Sequence, residues 1–255
     1  MAGGGCAIAV MAKAPRPGHV KTRLVPPLTP EQAGAVSASF LRDITDNIAL
    51  AAREADIAGY IAYAPLGHEA LFDGIVAPGT RFVLADGTID VPKGVDGFGR
   101  SLLHAAQALF AAGHDAACLL NSDSPTLPTC LLVQAAEALA ADGEHVVLGP
   151  ADDGGYYILG MKAPHAGLFA DIVWSTERVA EQTRERARSL GLGVIELATW
   201  YDVDDAAALA RLMRDVDRPD ATRGRQALQP YPAPVTASCL RRLRLHDTVR
   251  SAAAG

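Results

Sequence analysis

Ala116-Ala-Cys-Leu-Leu120, followed by Asn121-Ser-Asp123-Ser-Pro125, is the stretch that decides the fold. Five apolar or small residues in a row, with no polar alternation, read as a strand buried on both faces, the habit of parallel sheets. The run stops at an acid, and Pro125 cannot donate to a sheet ladder. In an open parallel sheet the carboxyl ends of the strands face the ligand crevice, so strand geometry places Asp123 where substrate chemistry occurs. An Asp at a strand end also serves as an ordinary turn cap. The weight of the reading therefore depends on what else the chain brings to the same edge.

Upstream, Cys6 to Met11 forms a first apolar strand and runs into Lys13-Ala-Pro-Arg-Pro-Gly-His-Val-Lys-Thr-Arg-Leu24. That loop holds Lys13, Arg16, Lys21 and Arg23 and no acid; Pro15, Pro17 and Gly18 keep it out of regular structure. Four cations directly after a strand suit a polyphosphate, with a solvated basic loop as the plain alternative. Thr29-Pro-Glu-Gln32 predicts a capped helix to about Ala52. Strands at Ile57–Ala64 and Arg81–Leu84 follow, with a short helix near Glu69. The Gly/Asp-rich loop 86–99 leads to a helix from about Arg100 to Ala112. Within that loop Gly97 and Gly99 either permit close approach of a flat ligand such as a base or serve a turn. His104, on the helix, reads as a packing residue.

Downstream of Asp123, a helix with Thr129 as candidate cap ends near Asp142-Gly143. A strand at Val146–Leu148 opens into Gly149-Pro-Ala-Asp152-Asp153-Gly154-Gly155, a tight turn or, given its place at a strand end, a substrate loop. Tyr156–Met161 is a strand leaving it. Trp174 is core or acceptor wall, and Ser175 or Thr176 is the expected cap of a helix ending at Gly191. After a strand at Val194–Leu197, Asp202 and Asp204 alternate on an extended segment and so point to one side. Asp204 has the capping of the last helix, from about Asp205 to Val216, as its plain alternative. From Arg218 the chain turns Pro- and Arg-rich (Pro219, Pro230, Pro232, Pro234, Arg241, Arg242, Arg244, Arg250). The expected division is a domain over 1–217 and an appendage over 218–255 with a short helix around Ser238–Leu245.

Alternating strands and helices make the fold α/β with a mainly parallel sheet. With 255 residues, 49% of them hydrophobic and 20% charged, the chain can build one sizeable core. A net charge of -6 opposes a surface for nucleic acid polymers. Four cysteines without a CxxC pair suggest a reducing, cytoplasmic setting. No apolar run approaches membrane-spanning length, and the apolar start lacks the basic region of a signal peptide. There is no GxxxxGK[ST], no GxGxxG after the first strand, no GxSxG and no HExxH, which speaks against P-loop, dinucleotide-binding, hydrolase and zinc readings. What remains is acids at strand ends facing a basic loop. Oxygen-only ligands suit Mg²⁺ or Mn²⁺, an ion that takes one or two carboxylates plus substrate phosphates.

Five motifs in order, Lys13-Ala-Pro-x-Pro-Gly-x-Val-Lys-Thr-Arg-Leu24, Ser122-Asp-x-Pro125, Gly149-Pro-Ala-x-Asp-Gly-Gly-Tyr156, Trp174-Ser-Thr176 and Asp202-Val-Asp204, resemble the bacterial DUF2064 family. Its members carry labels such as rSAM/selenodomain-associated transferase 1 or arsenosugar-biosynthesis glycosyltransferase. The resemblance spans about Ile8 to Met213. It implies a GT-A-like three-layer sandwich of the nucleotide-diphospho-sugar transferase superfamily, with Asp123 as the metal-binding acid. A second ligand is implied from Asp202–Asp204, Asp204 being preferred. The Lys-Thr-Arg-Leu run is similar to that of 2-phospholactate guanylyltransferases, where it meets nucleotide phosphates. Lys13, Lys21, Thr22, Arg23 and Ser122, with Gly97 and Gly99, are accordingly expected on the nucleotide, and Asp152, Asp153, Gly154, Gly155 and Trp174 on the acceptor. Lys21, Arg23, Asp123 and Asp153 are the expected catalytic set. Two departures stand out: the superfamily's G-x-G-x-R loop is replaced by a proline-containing one, and Ser124 stands where a DxD pattern begins to need a second acid. Three functions follow: nucleotidyl transfer from an NTP to a small acceptor, glycosyl transfer from a nucleotide-sugar with Asp152 or Asp153 as base, or non-catalytic nucleotide binding.

Overall fold

The structure, a computed structural model, describes residues 4–217 and 228–243. Its strands are β1 (Cys6–Lys13), β2 (Ile57–Ala64), β3 (Arg81–Leu84), β4 (Ala116–Leu120), β5 (His145–Pro150), β6 (Tyr156–Met161) and β7 (Gly193–Glu196). They form one seven-stranded sheet in the order β3-β2-β1-β4-β6-β5-β7. Every neighbouring pair is parallel except the two made by β6. The cause is local: the loop from Pro150 to Tyr156 is too short for a crossover, so β6 must return antiparallel beside β5.

Six helices accompany the described strands: α1 (Pro30–Ala51), α2 (Phe98–Ala111), α3 (Thr129–Ala140), α4 (Val179–Ser189), α5 (Ala206–Asp217) and α6 (Pro234–Arg242). They cover both faces of the sheet, because consecutive side chains of a strand point to opposite sides. In β1, Ile8, Val10 and Ala12 join the core under α1, α3, α5 and α6, while Ala7 and Ala9 join the core under α2 and α4. In β4, Cys118 and Leu120 face the first core and Ala117 and Leu119 the second. All five β4 residues are buried, as an uninterrupted apolar run on a doubly covered strand must be.

The Thr29 cap forms as its sequence predicts. Its hydroxyl accepts from the Gln32 N–H at 3.2 Å, and the Gln32 side chain accepts from the Thr29 N–H at 2.8 Å. Three other helix starts differ from expectation. α2 begins at Phe98, two residues before Arg100. Thr129 is the first residue of α3 rather than its cap, and its hydroxyl donates to Asn47 Oδ1 at 2.6 Å. Neither Ser175 nor Thr176 caps α4, which begins at Val179; Ser175 is left-handed at φ 63°, and Thr176 Oγ1 donates back to Val173 O at 2.7 Å.

In the C-terminal segment α6 begins at Pro234, four residues before the expected Ser238. It docks on α1 through Asp43, whose carboxylate accepts from the Val235 N–H at 3.1 Å and the Thr236 N–H at 2.6 Å. An acid from one helix thereby caps the orphan N–H groups of another. Pro219, Arg244 and Arg250 lie outside the described residues.

Candidate active site

The strand order reverses its direction of growth between β1 and β4, which opens a crevice at their carboxyl ends. β1 delivers the chain to the basic loop there, and β4 delivers it to Asp123. A cavity of about 460 Å³ fills the crevice, lined by Lys13, Lys21, Thr22 and Arg23 on one wall and by Ser122, Asp123 and Asp204 on the other. That volume lies within the usual range of small-ligand sites.

Short bonds shape the end of β4. Asn121 Oδ1 accepts from the Asp123 N–H at 3.3 Å, and Ser122 Oγ donates to Asp123 Oδ1 at 3.1 Å. Long-range bonds then bring residues 201–204 alongside. The Val203 N–H donates to Asp123 O at 2.9 Å. Ser124 Oγ donates to Tyr201 O at 3.0 Å. Thr126 Oγ1 donates to the Tyr201 hydroxyl at 3.1 Å, and that hydroxyl donates to Asp215 Oδ2 at 2.8 Å. Ser124, Thr126, Tyr201 and Asp215 are positioning residues that no local sequence signal identifies. Ser124 itself is 2% exposed with its hydroxyl committed to that bond.

Lys21 joins the two acidic segments. Its ammonium lies 2.6 Å from Asp123 Oδ1 and 3.4 Å from Asp204 Oδ1, and it donates to Val203 O at 2.7 Å. Three acceptors match its three protons. The Lys21 side chain is only 7% exposed, and its ammonium lies 5.1 Å from the centre of the Phe40 ring. Its backbone is left-handed, φ 49°, a conformation that costs a residue with a Cβ about 1–2 kcal/mol. Arg23 stands further out, with Nη1 3.9 Å from Asp204 Oδ2, and Lys13 is exposed on the cavity wall.

Asp204 does not cap α5. Asp205 does, accepting from the Ala208 N–H at 2.8 Å, which leaves Asp204 to face Lys21. Burial and the neighbouring Asp123 push the Asp204 carboxyl up, against the pull of Lys21 and Arg23. Asp202 is pushed up to about 6 by burial and then by Asp153, Asp204 and Asp123. Negative charge at this edge thus exceeds the cations that answer it.

The two acids of the Gly149–Gly155 loop separate. Asp152 Oδ2 pairs with Arg211 Nη1 at 2.7 Å, and that guanidinium stacks 3.8 Å above the Tyr201 ring. Asp153 accepts from the Gly155 N–H at 2.8 Å and acts electrostatically on Asp202. Of the two, Asp153 is the one that faces the acidic cluster. Gly154 is obligatory: at φ 89° a Cβ would sit 2.1 Å from the Glu177 carbonyl oxygen. Its own carbonyl accepts from the Ala180 N–H at 3.0 Å, which fixes the loop to the start of α4.

Gly97 and Gly99, expected against a base, have another ring beside them. A Cβ on Gly99 would lie 3.1–3.2 Å from the Trp174 indole, and one on Gly97 3.8 Å from it. The flat group these glycines admit is Trp174, held edge-on to Phe98 at 5.6 Å. Phe98 is 49% exposed and lines the cavity mouth. His104 is away from this wall, with Nδ1 3.3 Å from Asp86 Oδ1.

The donor set fits a divalent ion. Asp123 and Asp204 offer only oxygen and are close enough to share one ammonium, and the uncompensated charge around Asp202 favours a further cation. Among the described residues no group of three or more His, Cys, Asp or Glu side chains could hold a metal by itself.

Comparison with known proteins agrees on the α/β fold with its mixed, mostly parallel sheet. The chain belongs to the DUF2064 family, described as "Uncharacterized protein conserved in bacteria", whose profile matches residues 47–176, half of the chain. It is similar to the crystal structure of a "putative nucleotide-diphospho-sugar transferase" from Desulfovibrio desulfuricans G20, with 28% identity over 96% of this chain and 97% of that one and a TM-score of 0.75. It shares its fold with CMP:2-keto-3-deoxy-manno-octonic acid synthetase complexed with CTP, at 13% identity, 82% and 96% coverage and a TM-score of 0.50. It also shares it with a cytidylyltransferase from Leptospira borgpetersenii serovar Hardjo-bovis, at 10% identity, 96% and 95% coverage and a TM-score of 0.50. No curated protein matches the chain. Among the described residues no helix is long and apolar enough to cross a membrane.

Proposed function

We propose that this chain is a metal-dependent transferase that moves a nucleotidyl group from an NTP to a small acceptor and releases pyrophosphate. The observation that carries this reading is the meeting of Asp123 and Asp204, far apart in sequence, on one cation beneath a loop of further cations. A triphosphate has the charge to match Lys13, Lys21 and Arg23. The acceptor oxygen forms a bond to the α-phosphorus, and the bond from that phosphorus to the pyrophosphate oxygen breaks. No protein nucleophile is needed. Asp123 and Asp204, with Asp202 beside them, would hold Mg²⁺ or Mn²⁺, which when bound neutralises phosphate charge. Lys13, Lys21, Thr22 and Arg23 bind and orient the phosphates, and Lys21 and Arg23 stabilise the charge that builds on the leaving group. Ser122 holds the Asp123 carboxylate. Asp153, Gly154, Gly155 and Trp174 flank the acceptor side, with Asp152 supporting the loop through Arg211. Residues 1–217 are the catalytic unit and 218–255 an appendage.

Glycosyl transfer from a nucleotide-sugar is the second reading, supported by the likeness to the nucleotide-diphospho-sugar transferase structure from Desulfovibrio. In that case Asp153 takes the acceptor proton, with Asp152 held by Arg211. A thermal-shift series with Mg²⁺ separates the two: stabilisation by NTPs alone supports nucleotidyl transfer, and by nucleotide-sugars alone glycosyl transfer. Acceptor-dependent pyrophosphate release is expected; hydrolysis-free transfer of a sugar would replace the first reading by the second.

A further inference from the structure

The position between Asp123 and Asp204 is already taken by a cation of the protein's own. Lys21 spends all three of its protons there, on two carboxylates and the Val203 carbonyl, with its side chain 7% exposed. It does so from a left-handed backbone, whose carbonyl also accepts from the Leu24 N–H at 2.9 Å, so strain is stored beside the cavity. A divalent ion between these acids would compete with that ammonium for the same two carboxylates, and two cations this close repel each other strongly. The segment bearing Lys21 lines the cavity where phosphates would lie, so its ammonium has a second anion within reach once a nucleotide arrives.

We propose that Lys21 is a resident counter-ion that excludes the divalent ion from the Asp123–Asp204 pair until nucleotide phosphates draw its ammonium away. Metal and nucleotide then enter together, and metal alone binds poorly. This rests on the metal-dependent reading above and deepens it: the loop is a gate on metal entry as well as a phosphate cradle.

The test is Mn²⁺ binding to nucleotide-free protein, followed by electron paramagnetic resonance, for the unaltered chain, Lys21→Met and Lys21→Gln. Two variants guard against a fold defect in either one. Removing a unit charge within 4 Å of both carboxylates should tighten Mn²⁺ binding at least about tenfold. Adding Asp123→Asn to either variant should abolish that gain. Equal affinity for the unaltered chain and both variants overturns the proposal, as does a gain that survives the loss of Asp123. If the unaltered chain binds Mn²⁺ tightly through Asp123 without nucleotide, the exclusion fails while the metal-dependent transferase stands. If no form binds Mn²⁺ even with CTP or UTP present, both fail.

Discussion

Asp43 and Asp202 are both acids withdrawn from water, and they differ in what answers their charge. Asp43 is fully buried, and burial pushes its carboxyl up, but two backbone N–H groups at the start of α6 pull the other way. Asp202 is pushed up by burial and pushed further by three neighbouring acids. Asp43 is therefore a finished structural contact, holding α6 on α1. Asp123 and Asp204 share Lys21, whereas Asp202 has no ion pair among the described residues. The contrast separates an acid that builds the fold from an acid whose carboxyl is pushed up by its neighbours, which burial alone would not do.

The contrast breaks most sharply at Asp123. Asp123→Asn should lower turnover about a thousandfold or more, the size expected when several kcal/mol of transition-state charge stabilisation is lost. Its melting temperature should stay near that of the unaltered chain. Near-normal turnover in a steady-state pyrophosphate assay would remove Asp123 from the chemistry.

Asp43→Ala should do the reverse. Two N–H groups left unpaired at a buried helix start cost about 2–4 kcal/mol of stability. Chemical denaturation measures the loss, and turnover at low temperature should be preserved. A stability change below the resolution of the denaturation curve would make the α1–α6 contact dispensable.

The smallest effect is expected at Asp202 in metal-free protein. Its folded-state carboxyl titrates at about 6, above its ordinary 3.8, so the folded state holds the proton more tightly than the unfolded one. Stability contributed by this group is full at acid pH and falls as pH rises from about 4 to about 6, then levels off. Asp202→Asn should remove that fall and leave the protein more stable at pH 8 by less than about 1 kcal/mol, solvent still screening a partly buried site. Melting curves at pH 4.5 and pH 8 compare the two. A variant less stable than the unaltered chain at pH 8 would mean that Asp202 already has a stabilising partner.

Much of the frame was legible from local pattern. The unbroken apolar run at 116–120 declares a doubly covered strand, and Thr29-Pro-Glu-Gln32 declares a helix start, because each depends on residues within a few positions of one another. The starts of α2 and α4 depart from such local pattern. Gly97 and the 174–178 segment are shaped by Trp174 and by the Gly154 loop packing against them, not by capping side chains.

The site was legible as an inventory and not as an arrangement. A basic loop, an acid after β4 and two acids before α5 can be read from residue types and strand ends. That Asp205 rather than Asp204 caps α5, that Asp152 is tied to Arg211 while Asp153 is not, and that Lys21 lies between Asp123 and Asp204 cannot. Sequence by itself determined the alternation of strands and helices, the chemistry carried at each strand end and the family. Tertiary structure decided the pairing of those ends, the antiparallel place of β6 between β4 and β5, and which charges are answered. The physical reason is distance along the chain: periodicity and capping are settled by neighbours a turn or two away, whereas the contact of residue 21 with residue 204 exists only after the whole sheet has closed.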